Sequence, residues 1–153
     1  MKQSLKVMTI LVVLLALAAG SASARGKSSL RLGLEFGNPN AVLIIRPAPF
    51  DFKIGYNFTD PGSLFLSFDY RVVSGYQLID FLHFFLGVGA YGQLILEPTT
   101  FDLGARIPLG LQVFLIDNVL ELFLEAAPAL GFLPTPHWAG FQGYVGFTIL
   151  IPR

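Results

Sequence analysis

Along most of the chain, apolar residues stand at every second position. The segment Leu64–Val72 is a clear example, with a large apolar side chain at each even-numbered position. A period of two is typical of β-strands, and Gly, Pro, Asn and Asp residues mark turns between such runs. The pattern predicts eight strands, which cover residues 29–37, 40–46, 50–57, 63–73, 82–94, 100–115, 118–127 and 140–151.

Three segments complicate this pattern. Asn40–Arg46 is apolar on both faces and gives no clear phase. Tyr76–Phe85 is the best candidate for a helix, but no capping residue marks its start. Pro108 stands inside the sixth predicted strand, where it has no N–H to donate, so a bulge or a local break is expected there.

The composition excludes several classes of protein. The chain has 153 residues, of which 54% are hydrophobic and 13% charged, so it is not intrinsically disordered. It has no cysteine, which excludes a disulfide scaffold, a cysteine zinc site and a cysteine nucleophile. The formal charge is zero and Lys and Arg do not cluster, which argues against nucleic-acid binding. The length fits a single domain.

The first 24 residues have the pattern of a secretory signal peptide. Lys2 and Lys6 supply the positive start, and the stretch Val7–Gly20 is uncharged and apolar. Ala22 and Ala24 give the small-x-small cleavage pattern, which predicts a cut after Ala24 and a domain over residues 25–153. The alternative is an uncleaved membrane anchor, for which this stretch is of borderline length.

The two faces of the predicted strands differ sharply in character. One face is large and apolar, and the other mixes glycine with charge. A soluble sheet would turn the apolar face to its core. A narrow closed barrel can instead hold glycine and long charged side chains inside, and the chain has few charges for a soluble surface. We therefore expect a closed eight-stranded antiparallel up-and-down transmembrane β-barrel, with a soluble sandwich or lipocalin-like barrel as the alternative.

Three segments, Leu32–Pro39, Leu103–Gly110 and Leu120–Pro128, carry a resemblance to a known class. They resemble the small eight-stranded outer-membrane β-barrels of the OmpX/OmpW-like class, especially members with very short loops. The resemblance implies a bacterial outer-membrane location, contact with outer-membrane lipid and insertion by the outer-membrane assembly machinery. That class includes channels, a lipid acyltransferase, adhesins and proteins without an assigned role, so it implies an architecture more than an activity.

One departure from this class lies at the end of the chain. Barrels of this kind usually end in an aromatic residue that the assembly machinery recognises, whereas this chain ends Ile151-Pro152-Arg153.

The polar faces of the strands predict a charged interior. Asp51 and Lys53 would stand beside Asp69 and Arg71 on the next strand, which suggests a salt-bridged plug. The alternative is a narrow polar pathway or a small-ligand cavity, since eight strands leave no room for an open pore. The predicted network comprises Arg31, Glu35, Asp51, Lys53, Asp69, Arg71, Asp102, Arg106, Glu121 and Glu125, with Asp102 and Arg106 facing the two glutamates across a hairpin.

Catalysis, metal binding and cofactor binding are not expected. His83 has Ser67 and Asp69 on the preceding predicted strand, but no nucleophile motif accompanies them. His137 is beside Trp138 in the last connection and is expected at an interface. Two histidines far apart in sequence show no metal-ligand spacing.

The predicted connections are short, which leaves little loop surface for recognition. The last one, residues 131–138, is the longest and most apolar, and would serve as a stiff cap or as a contact for lipid or a partner. We expect a monomer with a structural or interaction role in the envelope. The alternatives are a narrow channel, a barrel that binds a small solute or lipid, and a soluble periplasmic carrier.

Overall fold

The computed structural model describes residues 29–38 and 40–152. The predicted signal peptide, with Ala22 and Ala24, lies outside the described residues. Within the two described ranges, no helix is long and apolar enough to cross a membrane. The structure is all-β, and its nine strands are β1 Leu30–Gly37, β2 Ala41–Pro47, β3 Phe50–Asn57, β4 Ser63–Ile79, β5 Leu82–Leu96, β6 Thr99–Arg106, β7 Leu109–Leu115, β8 Leu120–Leu133 and β9 His137–Ile151.

The strands form one antiparallel sheet that closes into a ring. Each strand from β1 to β4 pairs with the next along the chain, and β9 pairs with both β8 and β1. The register of the closing pair runs from Leu30 opposite Ile151 to Gly37 opposite Tyr144. Both β6 and β7 pair with β5 on one side and with β8 on the other. The nine strands therefore occupy eight positions around the ring.

The interruption between β6 and β7 falls at Ile107 and Pro108, as the sequence predicts. Pro108 lacks an N–H, so it cannot continue the ladder. Its carbonyl still accepts a hydrogen bond from the Gly87 N–H at 2.7 Å, and the Ile107 N–H donates to the Pro128 carbonyl at 3.0 Å. The sixth predicted strand is thus two strands that share one place in the ring.

Three strands extend three or more residues past the ends that the sequence pattern predicts. β4 continues to Ile79, β8 continues to Leu133, and β9 begins at His137. The stretch 76–85, the best candidate for a helix, forms no helix, because these residues make the end of β4, a turn and the start of β5. Register shifts after Arg71 disturb the period of two. The last connection shrinks from the predicted residues 131–138 to 134–136.

The ring has two distinct rims. The terminal rim carries Leu30, Ile151 and the turns at 48–49, 80–81 and 116–119. The loop rim carries the connections 38–40, 58–62, 97–98 and 134–136. No connection around the ring exceeds five residues.

The polar face of the strands is turned into the ring and the apolar face out. The alternation of β2 becomes clear here, since Val42, Ile44 and Arg46 are all buried inside. Ile44 packs against Phe85 and Phe123 from the opposite wall. Glycines make room for these rings: a Cβ built on Gly110 would lie 2.7 Å from the Phe85 ring.

Candidate functional site: the charged interior and its mouth

The interior of the ring holds five basic and five acidic buried side chains. Because an unpaired charge in such a space is costly, their mutual pairing decides whether the interior is sealed. Nine of the ten residues that the sequence predicts for the interior are among them. Asp102 lies elsewhere, and Arg46 joins the group. The ten buried residues are Arg31, Glu35, Arg46, Asp51, Lys53, Asp69, Arg71, Arg106, Glu121 and Glu125.

A first group of charges, the terminal cluster, lies toward the terminal rim and consists of Arg31, Arg46, Asp51, Arg71 and Glu121. Both oxygens of Asp51 are occupied, Oδ1 by Arg46 Nε at 2.6 Å and Oδ2 by Arg71 Nε at 3.0 Å. Arg46 Nη1 also lies 2.5 Å from Glu121 Oε2. Arg71, Asp51, Arg46 and Glu121, from four different strands, thus form a chain of ion pairs across the interior of the ring.

Neutral side chains complete this cluster. Thr148 donates its hydroxyl to Glu121 Oε2 at 2.6 Å, and Arg71 Nη1 donates to Gln112 Oε1 at 2.8 Å. Arg31 lies nearer the rim, where its guanidinium donates to the carbonyl oxygen of Asn118. Its closest carboxylate oxygen, from Glu121, is 3.9 Å away.

A second group, the central cluster, lies deeper and consists of Glu35, Lys53, Asp69, Arg106 and Glu125. Lys53 Nζ lies 2.6 Å from Glu125 Oε1 and 3.2 Å from Glu35 Oε2. Arg106 contacts the same oxygen of Glu125 and reaches Asp69 Oδ1 through Nε at 3.2 Å. Two cations and three carboxylates thus share one buried network.

Aromatic rings separate and flank the charged groups. The guanidinium carbon of Arg71 lies 4.2 Å from the centroid of the Phe85 ring, and that of Arg46 lies 5.4 Å from Phe123. Lys53 Nζ lies 5.2 Å from the Tyr144 centroid. A cation over an aromatic face gains electrostatic energy, especially where water is excluded. The rings therefore stabilise the cations that the carboxylates also hold.

Arg46 is the charged residue that sequence reasoning missed. It ends a run that is apolar on both faces, so alternation alone gave no phase. The useful signal was the charge itself: on a strand of this ring, the one charged residue marks the inward face. Arg31 stands opposite Arg46 in the register, and both point inward.

Asp102 lies at the loop rim and not in either cluster. Its Oδ2 accepts a hydrogen bond from the Tyr91 hydroxyl at 2.9 Å and lies 3.4 Å from His137 Nε2. The register of β8 keeps Asp102 away from the predicted glutamates. Glu121 and Glu125 pair with Phe114 and Gly110 of β7, and the same register continues past Pro108 to Arg106 opposite Ala129. Leu103, beside Asp102, therefore pairs with Leu133 at the far end of β8.

A cavity of about 220 Å³ opens beside Asp102 at the loop rim. We call it the mouth pocket. Its floor is toward the central cluster, because lining residue Gln142 accepts a hydrogen bond from Arg106 at 2.7 Å. The mouth pocket is lined by Asn38, Phe65, Tyr91, Gln93, Asp102, His137, Trp138, Ala139 and Gln142.

The structure does not bring His83 and Ser67 together. His83 pairs with Gln77 toward the terminal rim, while Ser67 pairs with Tyr91 much farther along β5. Eight residues of extended strand separate these positions, a distance of about 26 Å at about 3.3 Å per residue. A hydrogen-bonded pair of nucleophile and base cannot form across that distance.

Comparisons with protein-family models, with curated proteins and with solved structures gave no match. The resemblance to small outer-membrane barrels therefore stays an expectation.

Proposed function

We propose that the chain is a small integral protein of a bacterial outer membrane, a β-barrel whose lumen is closed by ion pairs and whose role is structural or interactive. The observation that carries this proposal is the distribution of charge on the ring. In the part of the chain that the structure describes, no charged side chain stands on the outer wall of a strand. The charges outside the ring all belong to turns, at Asp60, Asp80, Glu97 and Asp117.

The outer wall is correspondingly apolar. Among the described residues, thirty-three large hydrophobic side chains are exposed, most of them on strands, far beyond the isolated patches that a soluble monomer shows. Hydrocarbon tolerates such a wall, and a closed sheet leaves no unpaired backbone edge in it. A polar interior with an apolar exterior is the pattern of outer-membrane barrels.

Aromatic side chains stand where the wall meets its rims. Phe50 and Tyr70 pack together near the terminal rim, with ring centroids 5.5 Å apart. Trp138 and Phe141 pack at the same centroid distance near the loop rim. Aromatic girdles at both interfaces are typical of membrane barrels, and these pairs support a membrane-spanning orientation.

The paired interior favours a closed lumen over a channel. The terminal cluster and the central cluster lie one behind the other along the axis of the barrel, and aromatic side chains fill the space beside them. An ion crossing the ring would have to break several short ion pairs in sequence. The five buried basic and five buried acidic side chains also balance, so the interior has no net charge that would favour an ion of either sign.

Electrophoretic mobility tests the membrane barrel. The chain from residue 25 onward would be refolded in detergent and run with and without boiling. A closed membrane barrel keeps its compact shape in unheated detergent, so boiling should shift the band. A chain that dissolves in plain buffer and shows no shift would instead support a soluble carrier.

Planar-bilayer recordings test the closed lumen. Refolded protein should insert without discrete conductance steps. Reproducible steps that change when Arg106 is replaced by alanine would contradict the closed lumen and favour a narrow channel.

A further inference from the structure

We propose that the mouth pocket binds one neutral sugar ring, either free or as the headgroup of a glycolipid. The pocket is a feature of the closed ring, so this inference goes beyond the proposed membrane role and does not depend on it. Two features support it: the lining side chains are held in place by hydrogen bonds, and they keep unused donors and acceptors.

Asp102 is held in place but keeps unused capacity to accept hydrogen bonds. Tyr91 and His137 both contact its Oδ2. Its other oxygen, Oδ1, is shielded from solvent and has no hydrogen-bond partner within the protein. A carboxylate can accept about four hydrogen bonds, so Asp102 keeps acceptor capacity for a ligand hydroxyl beyond the bond from Tyr91.

Gln142 is held in a similar way on the floor of the pocket. Its Oε1 accepts from Arg106, and a guanidinium can only donate, so the orientation of the amide is determined. The amide nitrogen of Gln142 is then left to donate. Gln93 is anchored too, through a 2.9 Å hydrogen bond to Ser63. These side chains are ordered before a ligand arrives, which lowers the entropic cost of binding.

The free groups call for a ligand that both donates and accepts hydrogen bonds. The carboxylate of Asp102 accepts, the amide of Gln142 donates, and Asn38 at the edge can do both. Several adjacent hydroxyl groups satisfy that combination. Phe65 and Trp138 are also among the lining residues, so the pocket has apolar as well as polar contacts to offer a sugar ring.

Size and charge argue against other ligands. The cavity of about 220 Å³ is below the roughly 300–1,000 Å³ of pockets for drug-sized molecules, so it holds a single ring. An anion would be repelled by the carboxylate of Asp102. Arg106 would not offset this repulsion, because its charge is already paired with Asp69 and Glu125. An acyl chain would leave the polar lining unpaired.

The chain carries its own reporter for this site, because Trp138 is its single tryptophan. The full chain would be refolded in a zwitterionic detergent without sugar groups and titrated with glucose, galactose and mannose separately. We expect a saturable change in tryptophan fluorescence with at least one of them. Saturation-transfer NMR on the same samples gives a second readout that does not depend on the tryptophan.

Matched variants locate the response. Asp102→Asn keeps the shape but weakens the acceptor, and should reduce the affinity by about tenfold to a hundredfold, as expected for a hydrogen bond to a charged group. Glu97→Gln removes an acid from the same rim outside the pocket and should leave the affinity unchanged. If Asp102→Asn does not refold, Tyr91→Phe removes only the hydroxyl that orients Asp102 and should weaken binding several-fold.

The two sources of the sugar are separated by a second arm. Phosphatidylcholine vesicles with and without a monohexosyl diacylglycerol would be added to the same protein. A response to these vesicles but not to free hexoses would identify a glycolipid headgroup, and a response to free hexoses would identify a soluble sugar.

The inference is overturned if neither arm gives a response, if Asp102→Asn responds equally, or if vesicles without the glycolipid give the same response as vesicles that contain it. The heat shift of each sample shows whether the ring is folded. If the protein shows the band shift on boiling but no response to sugar, only the sugar site is contradicted. If the unmodified chain shows no band shift, the membrane barrel is contradicted.

Discussion

At the scale of single residues, the interior charges behave as mutually dependent groups. Arg106 illustrates this, since its guanidinium serves Glu125, Asp69 and Gln142 at once. The alternation of polar and apolar residues predicts which charges are inside. It does not predict partners, because a partner depends on strand register and on the length of each side chain. Lys53 thus pairs with Glu35 and Glu125, and not with its neighbour Asp69.

Replacing Arg106 by alanine should destabilise the folded ring by about 3–5 kcal/mol, since carboxylates would be left buried without a partner. Arg106→Lys keeps the charge but loses the forked donor geometry, so its loss should be smaller. Urea unfolding followed by electrophoretic mobility measures both effects.

Asp80→Ala is the matched control for that experiment. It removes an exposed charge from a turn, and its effect should stay within about 0.5 kcal/mol. If Arg106→Ala were as stable as this control, the interior could not be a tightly paired network.

At the scale of elements, the sequence predicts the strands better than their ends. The period of two and the turn residues place every strand and the break at Pro108. They miss the ends of β4 and β8. A strand can be extended by a bulge or by pairing with a long neighbouring strand, and neither leaves a signal in the local sequence. Gly75, with φ of +76°, lies in the stretch of β4 where the alternation is lost.

The turn between β7 and β8 contains a strained residue. Ile116 has φ of 53°, in the left-handed region that β-branched side chains avoid. Its side chain is 70% exposed, so little packing is lost on replacement. Ile116→Asn should therefore raise the free energy of unfolding by about 1 kcal/mol, within the left-handed penalty of about 1–2 kcal/mol.

Thermal or urea unfolding measures this gain. Asn118 is also left-handed, with φ of 69°, but asparagine tolerates that conformation. Asn118→Gly should consequently change the stability little. An equal gain from both substitutions would argue against a penalty specific to the branched side chain.

At the scale of the whole molecule, the inverted arrangement of charge and hydrophobicity is what the sequence predicts most directly. It follows from the contrast between two strand faces. The mouth pocket was not predictable in the same way, because it joins residues from four strands and a connection. Asp102 and the pocket residues of β9 come together only because β6 continues past the end of β8 and β9 past the end of β1.

An arginine on the outer wall distinguishes lipid from water as the surroundings. Leu124 lies within β8, away from both of its ends, with its side chain exposed, so Leu124→Arg should cost about 2–4 kcal/mol in a bilayer. Phe58→Arg, in a connection at the loop rim, should cost about 0–1 kcal/mol. Unfolding of the protein in phosphatidylcholine vesicles measures the difference.

The opposite result has a clear meaning. On a wall that faces water, an arginine at position 124 would be neutral or would improve solubility, and the two variants would then behave alike.

The strands of the ring differ almost twofold in length. β1, β2 and β3 have 7 or 8 residues, whereas β4, β5, β8 and β9 have 14 to 17. At about 3.3 Å per residue, the short flank measures about 26 Å along a strand and the tall flank about 50 Å. In the proposed bilayer setting, lipid beside the short flank has to compress while lipid beside the tall flank stretches, at a cost of fractions of a kcal/mol per Å. In that setting the molecule acts as an elastic wedge, which thins the bilayer beside β1–β3 and thickens it beside the long strands on the other side of the ring.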